Sequence, residues 1–403
     1  MREPFPVLVL GGTGVFGSRI CRRLARHREL QVVIGARSVA KARRLTREIR
    51  KISPDSDVRP CAVTLPGELP GVLDETKARL VIHTCGPFQG QDYRVPEICI
   101  EKGVHYLDLA DDRTYVAGFR GLDAKARSKG VLAVSGVSSV PALSSAVIES
   151  LKPEFATLRE ISIGITPGNR APRGLAVVAG ILSTTGRPMP RWQDGAWRRV
   201  HGWQDMRRRT LSTSRMGSLG PRWFAACDVP DGVLFPAESP DLRTVTFHAG
   251  LELSFLHWGL WLLSWSVRWG AIANLRAYAP VLRDIAAWFE SWGSDRGGMY
   301  VDLVGEDAGG HPAKRTWTLI AEAGDGPWVP CVPAVVLTRK LARDEITDRG
   351  AMPCLGLMSL AEFVAEVDDL HIDTEMAEVP VVRDRRHRQL IHRDPSPSPF
   401  ATK

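Results

Sequence analysis

The sequence predicts an α/β protein: a doubly wound parallel sheet, then a second α+β domain whose sheet is mainly antiparallel. Three observations point there. The first 150 residues alternate short apolar runs with amphipathic segments, the rhythm of strand–helix–strand units. A Gly-x-Gly-x-x-Gly turn (Gly12, Gly14, Gly17) follows the first apolar run and opens the first amphipathic one. Beyond Val137-Ser138-Ser139-Val140-Pro141 the rhythm changes to longer alternating segments.

In the first domain the strands fall at 6–10, 31–36, 58–63, 79–85, 104–109 and 131–135. Helical patterns occupy 15–27, 39–51, 91–102 and 114–129; the third connection is weaker, because Pro66, Pro70 and Gly71 interrupt it. Leu158–Thr166 alternates as a long strand, and an apolar helical segment runs from Leu175 to Leu182. Residues 187–248 are rich in Trp, Arg, Gly and Pro, with short β-like pieces such as Leu242–His248. Met299–Val304 and Arg315–Ala321 read as paired strands turning around Gly309-Gly310. Pro333–Leu341 and Ser359–Val367 are two further helices. The expected organisation is a dinucleotide-binding domain at 1–142 and an inserted α+β domain for substrate or dimerisation at 143–332. Helices at 333–379 then return to the first domain, and a basic, unstructured tail covers 380–403. No internal repeat is visible.

The turn Gly12-Thr13-Gly14-Val15-Phe16-Gly17 is expected to hold a dinucleotide. In a strand–turn–helix, the first glycine allows a tight turn and the second lets the backbone approach the pyrophosphate. The third lets helix and strand pack closely, and the helix N-terminus offers N–H groups to the phosphates. That is the Rossmann pattern. At the end of the second strand, where an NAD site carries an acid for the ribose hydroxyls, this chain has Ala36, then Arg37 and Ser38, with Lys41 a helical turn later. An acid would repel a 2′-phosphate; Arg37 can form charge-assisted hydrogen bonds to one, and Ser38 can donate to it while capping the next helix. The expected cofactor is NADP(H).

Composition sets the outer limits. At 403 residues, 44% hydrophobic and 24% charged, the chain is long enough for two packed domains. Its seven cysteines are scattered, odd in number and without a Cys-x-x-Cys pair, so neither a disulfide framework nor a metal site is expected. With no cleavable apolar leader in the sequence, the expected location is the cytoplasm. Half of the net charge of +8 comes from residues 380–403, with six cations against two acids. Nucleic acid is therefore not an expected partner.

One stretch stands apart. Leu251–Ile272 holds four tryptophans in 22 residues, with Glu252, His257 and Arg268 as its ionisable groups. Glu252 and Arg268 need partners, which favours a core or dimer-interface helix and an expected homodimer. A helix lying on a membrane surface, aided by the basic tail, is the alternative. A transmembrane span is disfavoured, because the tryptophans are spread throughout rather than grouped at two ends.

Several motifs resemble one family. His83-Thr84-Cys85-Gly86-Pro87-Phe88 is similar to the Asn-(Cys/Ala)-Gly-Pro-Phe turn of the saccharopine dehydrogenase-like oxidoreductases. Cys99-Ile100-Glu101-Lys102-Gly103-Val104-His105-Tyr106-Leu107-Asp108-Leu109 and Gly136-Val137-Ser138-Ser139-Val140-Pro141 resemble two further motifs in the same order. The resemblance covers about 140 residues and continues weakly through Ser294–Met299 and Gly350–Cys354. It implies an NAD(P)-dependent oxidoreductase with an inserted α/β domain, but not a substrate, since members act on imines, enoyl groups and other acceptors. Ser138 stands where the family carries an aspartate.

Hydride transfer needs little protein chemistry beyond one proton donor, and the groups concerned should lie at the C-terminal strand ends, in the crevice between domains. Cys85, Gly86, Pro87 and Phe88 are expected at the cofactor, the turn holding the nicotinamide ribose and Phe88 lying against the ring. Cys85 serves there as a small apolar group rather than a nucleophile. Asp108 and Asp111 are the candidate acids, since two nearby carboxylates push one pKa upward; the competing role for Asp111 or Asp112 is a helix cap. The substrate is expected to be a small molecule with a C=N or C=C bond.

Overall fold

The computed structural model describes residues 3–172 and 174–379. They form two compact units. Of these, the first combines 3–146, 172, 174–177 and 327–367; the second combines 147–171, 178–326 and 368–379.

The first unit starts with β1 (Phe5–Leu10), α1 (Val15–Leu24), β2 (Leu30–Ala36), α2 (Val39–Ile52), β3 (Asp57–Ala62) and α3 (Leu69–Thr76). It continues through β4 (Leu80–His83), α4 (Arg94–Glu101), β5 (His105–Asp108), α5 (Arg113–Gly118), α6 (Asp123–Ser128) and β6 (Leu132–Ser135) to α7 (Ser144–Leu151), which belongs to the second unit from Val147 onward. β1, β4 and β6 are buried almost end to end, as expected of parallel strands covered on both faces. The stretch expected as one helix at 114–129 is α5, a 3₁₀ turn at Phe119–Leu122 and α6, broken near Gly118 and Gly121. In α3, Pro70 sits in the first turn, where a missing N–H costs nothing, so the interrupted pattern still makes a helix.

The second unit holds β7 (Thr157–Thr166), β8 (Pro188–Gln193), β9 (Ala196–His201), β10 (Arg207–Thr213), β11 (Gly217–Ala226) and β12 (Thr244–Leu251). β13 (Gly297–Glu306) and β14 (Pro312–Ala321) form a long hairpin. Its loop is tied by Asp307, whose carboxylate accepts from the N–H groups of Gly309 and His311. The helices are α8 (Leu175–Thr184), whose first residues belong to the first unit, α9 (Asp231–Glu238), α10 (Ser254–Arg268) and α11 (Ala279–Trp288). The apolar stretch 251–272 is thus not one helix. Leu251 ends β12, and α10 stops before Gly270, which takes a left-handed φ of 79°.

The chain closes with α12 (Val332–Ala342), β15 (Gly350–Pro353), α13 (Leu360–Glu366) and β16 (Ile372–Glu378). The first sheet has the order β15-β6-β5-β4-β1-β2-β3, with each strand parallel to its neighbours. The second has the order β10-β11-β12-β7-β13-β14-β16, antiparallel except for β12 beside β7. The fold is therefore a doubly wound parallel sheet plus a mixed, mostly antiparallel one. The basic tail at 380–403 lies outside the described residues.

Candidate functional site

The site of the first unit is built where β1, β2, β4 and β5 end. Gly11, not Gly12, makes the turn out of β1: its φ is 74°, a region that only glycine enters freely. Gly12 serves close packing, since a Cβ there would meet the Ile34 side chain at 2.9 Å and the Val9 carbonyl oxygen at 3.0 Å. The Gly14 N–H donates to the Gly11 carbonyl oxygen at 2.8 Å and closes the loop. Gly17 lies over that loop, where a Cβ would stand 2.3 Å from the Gly11 oxygen.

Gly14 is exposed and caps α1 with no side-chain hydrogen bond. A Cβ on it would meet, among the described residues, only the Gly11 oxygen at 3.2 Å. The backbone can therefore be approached there, and the first N–H groups of α1 lack intrahelical partners by the nature of a helix end. Thr13, Val15 and Phe16 flank this opening and are partly exposed.

At the end of β2, Arg37, Ser38 and Lys41 are all exposed. Ser38 is the N-cap of α2, its hydroxyl accepting from the Lys41 N–H at 3.4 Å. Among the described residues no carboxylate pairs with Arg37 or Lys41. The Arg37 charge reaches Cys85, whose thiol is nevertheless pushed up to about 11 by burial. Cys85 is therefore a neutral thiol, as a small apolar group should be.

The turn after β4 is fixed from both sides. Thr84 bonds back to β1 through its N–H and its hydroxyl, both donated to the Leu10 carbonyl oxygen. The Gln91 amide donates to the Cys85 and Pro87 carbonyl oxygens at 2.9 and 2.8 Å. The Ala176 methyl group stands 3.5 Å from where a Gly86 Cβ would be. A cleft of about 360 Å³ opens beside this turn, with Leu65, Cys85, Gln91, Asp92 and Arg94 among its lining residues. Phe88, expected against the nicotinamide ring, is instead 3% exposed. Its ring sits 5.2 Å from His83 and 5.4 Å from Tyr115, so its apolar area is already taken by the core. His83, bonded to the Tyr106 hydroxyl at 2.9 Å, is held neutral by burial, its pKa lowered to about 4.

Asp108 ends β5 fully buried. Its Oδ1 accepts from the Ala110 N–H at 3.0 Å, the Ser135 hydroxyl at 2.9 Å and the Gly136 N–H at 2.9 Å. It ties the β5 and β6 turns together. Burial raises its pKa to about 6 against those three bonds. Asp111 also holds its proton more tightly, again through burial first, and accepts from the Gln89 amide at 3.2 Å. The expected mutual repulsion of Asp108 and Asp111 is not what raises them; desolvation is. Asp112, not Asp111, caps the next helix, accepting from the Tyr115 N–H. Ser138 is partly buried in the turn after β6.

Residues 7–134 match the family described as the saccharopine dehydrogenase NADP binding domain. The first unit contains a saccharopine dehydrogenase-type NAD(P)-binding domain. Apo saccharopine dehydrogenase (L-Glu forming) from Saccharomyces cerevisiae superposes with a TM-score of 0.63 at 15% identity, over 92% of this chain and 99% of that one. An amine dehydrogenase from Mycobacterium smegmatis aligns at 11% identity and a TM-score of 0.43, over 88% and 95% of the two chains. At 15% identity the likeness to the yeast enzyme is one of fold. Among curated proteins, none matches in sequence.

The saccharopine dehydrogenase-type domain fits a dinucleotide by its own geometry: an open Gly14, an uncapped α1 and two cations beside the loop at the end of β2. Gln89, Gln91 and Ala176 were not legible as site residues. Glutamine amides carry no spacing signature, and Ala176 reaches the turn from a distant segment. Among the described residues no group of His, Cys, Asp and Glu could hold a metal ion.

Proposed function

We propose that the protein is an NADP(H)-dependent oxidoreductase passing a hydride to or from a small C=N or C=C acceptor. The observation that carries this reading is the exposed pair Arg37 and Lys41 at the end of β2, where an NAD site would carry an acid. In this reading the Gly12–Gly17 loop and the N-terminus of α1 hold the pyrophosphate. Arg37, Ser38 and Lys41 take the 2′-phosphate, and the Cys85-Gly86-Pro87 turn takes the nicotinamide ribose. The bound cofactor supplies the hydride chemistry. The chain's own residues are left to orient, to exclude water and to hold one proton. Asp111 serves the last task better than Asp108, because Asp108 is fully buried with its Oδ1 tying two turns together, whereas Asp111 is partly exposed. Purified protein is to be screened for NADPH oxidation with imines formed from 2-oxo acids and amines, and with enoyl esters. Turnover lost in Asp111→Asn, with NADPH affinity retained, is the expected result; turnover unchanged in that variant contradicts the assignment of Asp111.

A second reading is a cofactor-binding protein without catalysis. It is favoured by Ser138 in the place of the related sequences' aspartate. Silence across both substrate panels, with tight NADPH binding intact, would select it.

A further inference from the structure

The inward face of α10 is well accounted for. Val267, with Leu260 and Leu263 beside it, packs against Ala179, Leu182, Leu275 and Ala279. Glu252 and Arg268 are satisfied within the unit, and the third ionisable residue, His257, is fully buried and accepts from the Leu251 N–H at 3.4 Å. Glu252 accepts from the Asn169 N–H at 2.6 Å and from the N–H and hydroxyl of Ser294, and it pairs with Arg222 at 3.2 Å. Arg268 donates to the Gln204 side-chain oxygen at 2.6 Å and stacks over Trp265. The need for outside partners, which favoured a dimer helix, is therefore gone.

The outward face is aromatic. Trp223, Trp258, Trp261, Trp265 and Trp269 follow one another with ring centroids 5.2, 5.2, 5.9 and 5.2 Å apart. Phe255, Phe289 and Trp292 form a second cluster beside them. Trp269 and Trp288 are each 76% exposed, Trp292 68% and Leu262 66%. Apolar faces of this extent on a folded chain mark a contact surface.

We propose that this face of α10 and α11 lies on an anionic lipid surface. Tryptophan suits that boundary, with a large apolar ring and an N–H for the headgroup level. α10 has 15 residues, about 22 Å of helix against roughly 30 Å of hydrocarbon, so it lies along the surface; no described helix is long and apolar enough to cross. Charge selects lipid over a second copy of this chain. Between Ser254 and Trp292, Arg283 pairs with Asp284 at 2.8 Å, which leaves Arg268 and Arg276 against Glu290, and α10 itself contains no acid. Residues 380–403 add six cations against two acids. A two-fold interface would set these cations against their own copies, whereas anionic headgroups complement them.

The test uses the full chain and vesicles of phosphatidylcholine alone or mixed with phosphatidylglycerol. The chain should sediment with the mixed vesicles, less so at high salt, and its tryptophan emission should shift to the blue. Trp269→Glu with Trp288→Glu should cut the bound fraction roughly tenfold, while the thermal midpoint and NADPH affinity stay unchanged. Equal sedimentation of that variant overturns the proposal. So does a chain that ignores vesicles and sediments in solution at twice its 44.4 kDa mass, reverting to one chain in the variant.

Discussion

The Cα of Gly17 lies so close over the Gly11 carbonyl oxygen that a Cβ would stand 2.3 Å from it. The obstacle is backbone, which cannot rotate away, and it belongs to the loop that presents Gly14. Gly17→Ala should therefore displace the loop, costing about 1–3 kcal/mol of stability as overpacking does and weakening NADPH binding. Gly71→Ala, at a glycine with open space around it, is the control and should leave cofactor affinity unchanged. Denaturant unfolding and NADPH titration of both variants check this.

Arg37→Asp replaces a cation at the end of β2 with the acid of an NAD site. The loss of a charge-assisted contact predicts weaker NADPH binding by about 2–3 kcal/mol, and the new carboxylate should leave NADH binding unchanged or improved. Fluorescence titration of the variant with both nucleotides reads the two directions.

Arg23 on α1 donates to the Glu366 carboxylate at 2.6 Å and to its carbonyl oxygen, and Arg339 on α12 donates to the other carboxylate oxygen at 2.6 Å. Both Arg23 and Glu366 are 7% exposed. Glu366→Ala would leave a buried guanidinium without its counter-charge, at a cost of about 3–5 kcal/mol. Glu366→Gln, which keeps acceptors, should cost less. Urea unfolding of the two variants checks the order.

Burial of Asp108 has a pH signature. Its pKa rises on folding from 3.8 to about 6, so between those values the folded chain keeps a proton that the unfolded chain releases. Its contribution to stability therefore falls by about 3 kcal/mol as pH rises through that window. His83 acts in the opposite direction: with a pKa lowered from 6.5 to about 4, it destabilises the fold as pH falls through the same range. Subtracting the pH–stability curve of Asp108→Asn from that of the parent isolates the Asp108 slope. A difference that is flat from pH 4 to 6 contradicts the assignment.

The parallel sheet was legible because its strands are continuous apolar runs and its helices are amphipathic, each signal lying within a few consecutive residues. The glycine loop and the Ser38 cap were legible for the same reason. What escaped was either local chemistry left unread or contact over distance. Asp194-Gly195, with φ values of 56° and 74°, is a two-residue hairpin turn joining β8 and β9 that the sequence displays openly. β16 escaped because Asp373, Glu375 and Glu378 give an edge strand the look of a loop. The true setting of Phe88 depends on His83 and Tyr115, whose convergence no spacing announces.

The central claim is tested most directly by titrating the full-length protein with NADPH and with NADH and following nucleotide fluorescence. Saturable NADPH binding at least about tenfold tighter than NADH is the expected result, the effect of one charge-assisted contact or more. Tighter binding of NADH, or binding of neither, would contradict it.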